Sequence, residues 1–269
     1  MKSNRIALIF ILILVSVFVL GCGKKSTTPP EAVIPEGEDS FTNPVANGAD
    51  PFVFRDDDGT YYLYSTSGDS YGYRVYSSQN LVEWEAQGYC MRRDDVYIDD
   101  KYTNSKGSFA YYFWAPEVMR VEDKYYMVYT VQEHIGIAVS DSPTGPFVSE
   151  RDGYLLSGFK NIDGHFYRDD DGKLYLYFVS VGNVSLNGDS ITHGNNIWGG
   201  PFDLSSMSYE SGYPRLLVEH DDKNTIYMDY PGIFYRGSAV AEGPEMLKHN
   251  GKYYQIGRAS CRERVWTAV

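Results

Sequence analysis

Short runs rich in aromatic and β-branched residues recur along this chain and stop at acidic or glycine-bearing turns. Short runs of this composition bounded by turn residues are the signature of strands. The run Asp50-Pro51-Phe52-Val53-Phe54-Arg55 is followed by Asp56-Asp57-Asp58-Gly59, and then by Thr60 to Tyr64. That order predicts a β-hairpin: strand, acidic turn, return strand. Tyr73 to Ser77 predicts a third strand, and Leu81 to Glu85 leads into a fourth. Together these make one four-stranded sheet.

The hairpin pattern returns three times. It recurs from Ala115-Pro116-Glu117 through Tyr126, from Asp163-Gly164-His165 through Tyr175, and from Glu242-Gly243-Pro244 through Tyr254. A unit that recurs at intervals of tens of residues buries its faces only against its neighbours, as the blades of a propeller do. The second unit continues through Tyr125 to Val131 and Ile135 to Ser140, then reaches a Gly/Pro turn ending at Phe147. The third runs through Leu174 to Val179 and Ile197 to Phe202, with long connections at 183–195 and 214–236. The fourth is expected to break off after its second strand, at about Gln255. The prediction is an all-β propeller of about three and a half blades.

Composition sharpens this picture. Twenty-five tyrosines and 26 glycines in 269 residues suit strands and tight turns. A net charge of −12 excludes nucleic acid as a partner, because phosphates would be repelled, and leaves a neutral partner such as sugar open. At the start of the chain, Lys2 and Arg5 precede the apolar run Ile6 to Leu20, and Val19-Leu20-Gly21-Cys22 resembles a bacterial lipobox. Residues 1–22 are therefore expected to be a lipoprotein signal peptide, with Cys22 lipidated. The chain would then be exported and held at a bacterial membrane, on the cell surface or in the periplasm. The alternative is an uncleaved anchor, for which the run is short. Residues 23–40, rich in Pro, Ser, Thr and charge, read as a flexible linker to a domain at 41–255. From Ile256 the aromatic alternation stops and arginines replace acids. Residues 256–269 resemble a translated sequencing adapter and are expected to be non-native; a genuine basic tail is the alternative.

The innermost strands of propeller blades run beside one axis, so residues at matching repeat positions converge on one mouth of the channel. Asp50, Asp163 and Glu242 stand at or beside the start of their hairpins. Carboxyl groups meeting around an axis suit glycoside hydrolysis, which needs a proton donor for the leaving oxygen and a base for water. A third acid can raise the donor's pKa through like-charge repulsion. Each residue also has a plainer reading: Asp50 before Pro51 and Asp163 before Gly164 are turn formers, and Glu242 suits a solvated strand end. The acids at 56–58 and 169–171 are expected to serve the turns alone, and Glu117 to be structural. His165 is expected to be a satisfied strand histidine, although it stands close to the channel. None of the five histidines forms a metal-ligand pair, so no metal and no cofactor are expected, and nothing demands a structural calcium.

Ala49-Asp50-Pro51-Phe52, Phe113-Trp114-Ala115-Pro116-Glu117, Ile162-Asp163 and Glu242-Gly243-Pro244 together resemble glycoside hydrolase family 43, over about Asn43 to Gln255. The resemblance implies a five-bladed β-propeller acting with inversion on arabinose- and xylose-containing polysaccharides. It implies Asp50 as general base, Glu242 as general acid and Asp163 as the acid that tunes and orients the donor. It also implies Trp114 as a pocket aromatic against the sugar, with a core aromatic as the alternative. The sequence departs from the family in holding fewer blades. It has no counterpart of the pocket residues expected from later blades, a basic residue and an axial histidine. An incomplete ring leaves strand edges unpaired, so the chain by itself is expected to be poorly stable and inactive. A non-catalytic glycan-binding propeller is the rival reading, which the three acids disfavour because binding alone does not need them. A fructoside hydrolase of a related propeller family is disfavoured by Trp114-Ala115-Pro116.

Overall fold

A computed structural model describes residues 44–68, 70–99, 112–149, 151–220 and 241–259, together with 263–264 and 267–268. All of them belong to the unit Phe41–Val269. The signal peptide with Cys22 and the linker at 23–40 lie outside the described residues.

The described chain is all-β apart from one short 3-10 turn at Arg93–Asp95. The first sheet holds β1 (Ala49–Arg55), β2 (Tyr61–Thr66), β3 (Gly72–Ser78) and β4 (Glu85–Arg92), each antiparallel to the next. The second holds β5 (Trp114–Val121), β6 (Lys124–Val131), β7 (His134–Ser140) and β8 (Val148–Ser149). The third starts with β9 (Lys160–Arg168) and β10 (Leu174–Val181). A small hairpin follows, β11 (Val184–Leu186) with β12 (Asp189–Ile191). The sheet then resumes with β13 (Asn195–Asp203), β14 (Ser208–Tyr209) and β15 (Arg215–Val218). The fourth holds β16 (Ala241–His249) and β17 (Lys252–Ala259), with β18 (Glu263–Arg264) and β19 (Thr267–Ala268) both paired to β17.

The long connection at 183–195 carries a hairpin of its own: Asn187-Gly188 joins β11 to β12, and both residues have positive φ. One expectation is corrected here. The fourth sheet does not stop at Gln255: β17 runs on through Ala259, and later residues pair with it.

The first strands of successive sheets lie side by side, β1 against β5, β5 against β9, and β9 against β16. Apolar residues fill the spaces between sheets. Tyr64, Tyr73, Met91, Phe113, Met127 and Phe147 pack between the first and second, and Val128, Phe166, Leu176 and Phe202 form the next cluster. Each such side chain, fully buried, contributes about 1.5–3 kcal/mol. The tyrosines also use their hydroxyls. Tyr64 donates to Pro143 O at 2.6 Å, and the Tyr73 hydroxyl lies 2.8 Å from Trp114 O and 2.7 Å from Thr130 O. A buried ring with a polar tip can therefore bond one sheet to the backbone of the next, which accounts for some of the tyrosine content.

The acidic turns prove to have two tasks. In both Asp56–Gly59 and Asp169–Gly172 the first Asp carboxylate accepts the next residue's amide, and the glycine takes positive φ. The same carboxylates also reach the following sheet. Asp56 accepts from Arg120 Nη1 at 3.0 Å and Tyr125 OH at 2.7 Å. Asp169 accepts from Lys248 Nζ and Tyr253 OH, both at 2.5 Å. Arg120 pairs across its hairpin with Tyr125, as Lys248 does with Tyr253, so one clamp is built twice. The expectation that these acids serve only the turns is corrected for Asp56 and Asp169, and for Asp57 and Asp170, which pair with Arg120 at 2.9 Å and with Lys248 at 2.8 Å.

Candidate active site

Every first strand opens with the same irregularity. The pairing register slips between Ala49 and Phe52, between Trp114 and Glu117, between Ile162 and His165 (opposite Tyr177 and Val179), and between Glu242 and Glu245. One residue in each slip takes the left-handed conformation: Asp50 (φ 48°), Ala115 (φ 39°), Asp163 (φ 53°) and Gly243 (φ 57°). A bulge of this kind bends the strand and re-aims a side chain. Left-handed backbone at non-glycine residues costs about 1–3 kcal/mol and is concentrated at functional sites. Asp50 and Asp163 therefore occupy equivalent bulge positions, whereas Glu242 precedes its bulge residue by one.

The four bulges border a cavity of about 460 Å³, whose lining includes Asp50, Glu117, Asp163, His165 and Glu245. Asp50 is exposed, and Thr66 Oγ1 donates to its Oδ2 at 2.5 Å. That threonine oxygen also accepts the Ala115 amide at 3.0 Å, so its one proton is left for Asp50. Asp163 accepts the Gly243 amide on Oδ2 at 3.2 Å. Burial pushes the Asp163 carboxyl up to about 7; the Glu242 charge adds to the rise, and Asp50 and Glu117 contribute more weakly in the same direction. The Glu242 side chain accepts from Asn195 Nδ2 on Oε1. Asp50 and Asp163 line the cavity and Glu242 does not, although the charges of both Asp50 and Glu242 act on Asp163.

Trp114 occupies the rim position equivalent to that of Glu242, one residue before the bulge. It is not among the residues lining the cavity. Its ring stands against Tyr112 at 4.9 Å between centroids. Glu117 and His165 meet at the cavity wall, Nδ1 to Oε2 at 2.8 Å, and His165 Nε2 accepts the Met246 amide at 3.0 Å. The proton is therefore on Nδ1 and is donated to Glu117. This histidine is both satisfied and beside the cavity, and it ties the second, third and fourth sheets together. Glu117, expected to be structural, lines the cavity as well. Sequence reading missed Thr66, Thr130 and Asn195. The signal for the two threonines was their shared hairpin position; Asn195 gave none. Among the described residues, no group of three or more His, Cys, Asp or Glu side chains is placed to hold a metal ion.

The glycosyl hydrolase family 43 model matches residues 41–260, which takes in all four bulges. The chain belongs to glycosyl hydrolase family 43. It is 31% identical over 163 residues to a xylosidase/arabinosidase 43A of Humicola insolens, covering 52% of this chain and 49% of that protein. It is 29% identical over 160 residues to a beta-xylosidase of Xylanibacter ruminicola, covering 52% of this chain and 47% of that one. The chain thus spans about half the length of these curated relatives. Among solved structures, a thermostable family-43 glycoside hydrolase superposes with a TM-score of 0.62 at 30% identity, covering 82% of this chain and 68% of that one. An endo-1,4-beta-xylanase of Bacteroides thetaiotaomicron gives 0.60 at 32% identity, covering 79% and 64%. This family member shares an all-β propeller fold with those structures.

Proposed function

We propose that this family 43 chain provides the active-site acids of an inverting glycosidase acting on arabinofuranosyl or xylosyl linkages. Its four large sheets are read as consecutive blades around one axis. Asp50 acts as general base: Thr66 occupies one carboxylate oxygen, and the other takes a proton from the attacking water. Glu242 acts as general acid and protonates the leaving oxygen. Asp163 holds a proton in the neutral range beside Glu242: repulsion between the two carboxylates keeps the pair's last proton from leaving, and Glu242 draws on that proton. Trp114, on the rim, offers a flat face to the sugar. The observation that carries the reading is the rise of Asp163 to about 7 in a cavity shared with Asp50, with Glu242 as the strongest charged contributor. The names of the relatives support the pentose preference. A lipid on Cys22, tethering the domain to a bacterial membrane, belongs to the same proposal.

The test is a panel of aryl pentosides with the full-length parent that contains this chain, and with Asp50→Asn and Glu242→Gln made in it, with product anomers followed by NMR. Release of the inverted anomer, lost at least 1,000-fold in both variants while circular dichroism is unchanged, is the expected result. Glycan binding without release in the wild type would favour the non-catalytic rival.

A further inference from the structure

The bulge at the head of each first strand presents a backbone amide that needs an acceptor. Two sheets supply one in the same way. Thr66 Oγ1, opposite Ala49 on β2, accepts the Ala115 amide of the next sheet at 3.0 Å. Thr130 Oγ1, opposite Trp114 on β6, accepts the Asp163 amide of the next sheet at 3.2 Å. The corresponding position on β10, opposite Ile162, is Val179. Val179 is fully buried and packs in a cluster with Ile197 and Ala241. It carries no hydroxyl, and the bulge amide of the following sheet, Gly243 N–H, goes to Asp163 Oδ2 instead.

We propose that Val179 is a positioning residue of the active site: by withholding the hydroxyl that Thr66 and Thr130 supply, it commits the Gly243 amide to the Asp163 carboxylate. Asp163 is then gripped from two sides, its own amide by the second sheet and its carboxylate by the fourth. The inference rests on the reading of Asp163 as an active-site acid, and it adds a residue that touches no substrate. The Gly243 bond favours the charged form of Asp163, against burial and against the acids that share its surroundings. Those groups are Asp50 from the first sheet, Glu117 from the second, and Glu242 and Glu245 from the fourth, with His165 on its own strand.

The test uses the full chain, isotope-labelled, with the Gly243 amide and the Asp163 carboxyl carbon followed by NMR across pH. In the wild type, both resonances should titrate with one midpoint, because the amide reports the charge it is bonded to. In Val179→Thr the new hydroxyl should capture the amide. The Gly243 response should then shrink several-fold and the Asp163 midpoint rise by about one pH unit. Val179→Ala enlarges the site without adding an acceptor, so it should keep the wild-type titration although it lowers stability. If the threonine variant does not fold, Val179→Ser against Val179→Ala isolates the hydroxyl. A threonine or serine variant that titrates like the wild type would overturn the proposal, and so would an alanine variant that loses the Gly243 response as fully. No step depends on hydrolysis, so failure in the pentoside assay and failure here are separate results.

Discussion

Replacing Asp163 by Asn should stabilise this protein, by an amount that depends on pH. An ordinary Asp titrates at 3.8, and here burial and the neighbouring acids push the group up to about 7. Because the folded-state value lies above the unfolded one, the proton on Asp163 stabilises the fold fully below pH 3.8. That contribution is lost as pH rises through about 7. A separation of about three pH units, at about 1.4 kcal/mol each, amounts to about 4 kcal/mol, an upper figure because Glu242 shares the titration. Asn cannot ionise, yet its amide oxygen can still accept from Gly243. Urea unfolding at pH 4 should find the two proteins within about 1 kcal/mol of each other, and at pH 8 the Asn variant should be ahead by about 2–4 kcal/mol. In the full-length parent, activity should fall with the same substitution, the usual opposition between stability and a strained site. If the difference between the two proteins were the same at pH 4 and pH 8, the assignment of Asp163 as a group held neutral by its surroundings would be wrong.

The remaining predictions concern the groups around that centre. Asp169→Asn should lower the Tm at pH 7 by breaking the clamp to Lys248 and Tyr253. Those two partners hold the Asp169 carboxyl down at about 2, so its contribution is present above pH 3.8 and fades as pH falls through about 2; thermal melts at pH 7 and pH 2 should converge only at the acid end. Gly164→Ala should cost about 1–3 kcal/mol in urea unfolding, because a Cβ there would meet Val128 Cγ2 at 2.2 Å; an unchanged midpoint would mean the second and third sheets give way. In the full-length parent, Thr66→Val should lower kcat more than it changes KM, by about tenfold, while Thr66→Ser restores it, since the hydroxyl and not the methyl serves Asp50.

The strands and turns were legible because they are local. The tyrosine-rich apolar runs Tyr61 to Tyr64 and Tyr125 to Val131 read as strands, and acidic or glycine-bearing turns mark the hairpins. The three acids were legible for a related reason: a repeated hairpin places repeated positions at one end of each sheet. What the repeat did not reveal was the offset of Glu242. Pattern matching aligned it with Asp50 and Asp163, yet the bulge residue of its strand is Gly243, and only the pairing of β16 with β17 exposes that difference. The second task of Asp56 and Asp169 was hidden too. A turn carboxylate is complete within its hairpin by sequence criteria, and its bond to Arg120 or Lys248 exists only once the next sheet lies alongside.

By itself, then, the order of residues determined the class of fold, the number of hairpin repeats and which carboxylates to suspect. These depend on side-chain period and turn chemistry, which act over a few neighbouring positions. Packing of sheet against sheet decided the rest. It makes Asp163 the residue that keeps its proton, gives the Thr66 proton to Asp50, and turns the amide of Gly243 towards a carboxylate because Val179 has nothing to offer it. Burial, charge proximity and the sharing of one amide between possible acceptors are properties of distance in space, and nothing in the linear chain states that distance.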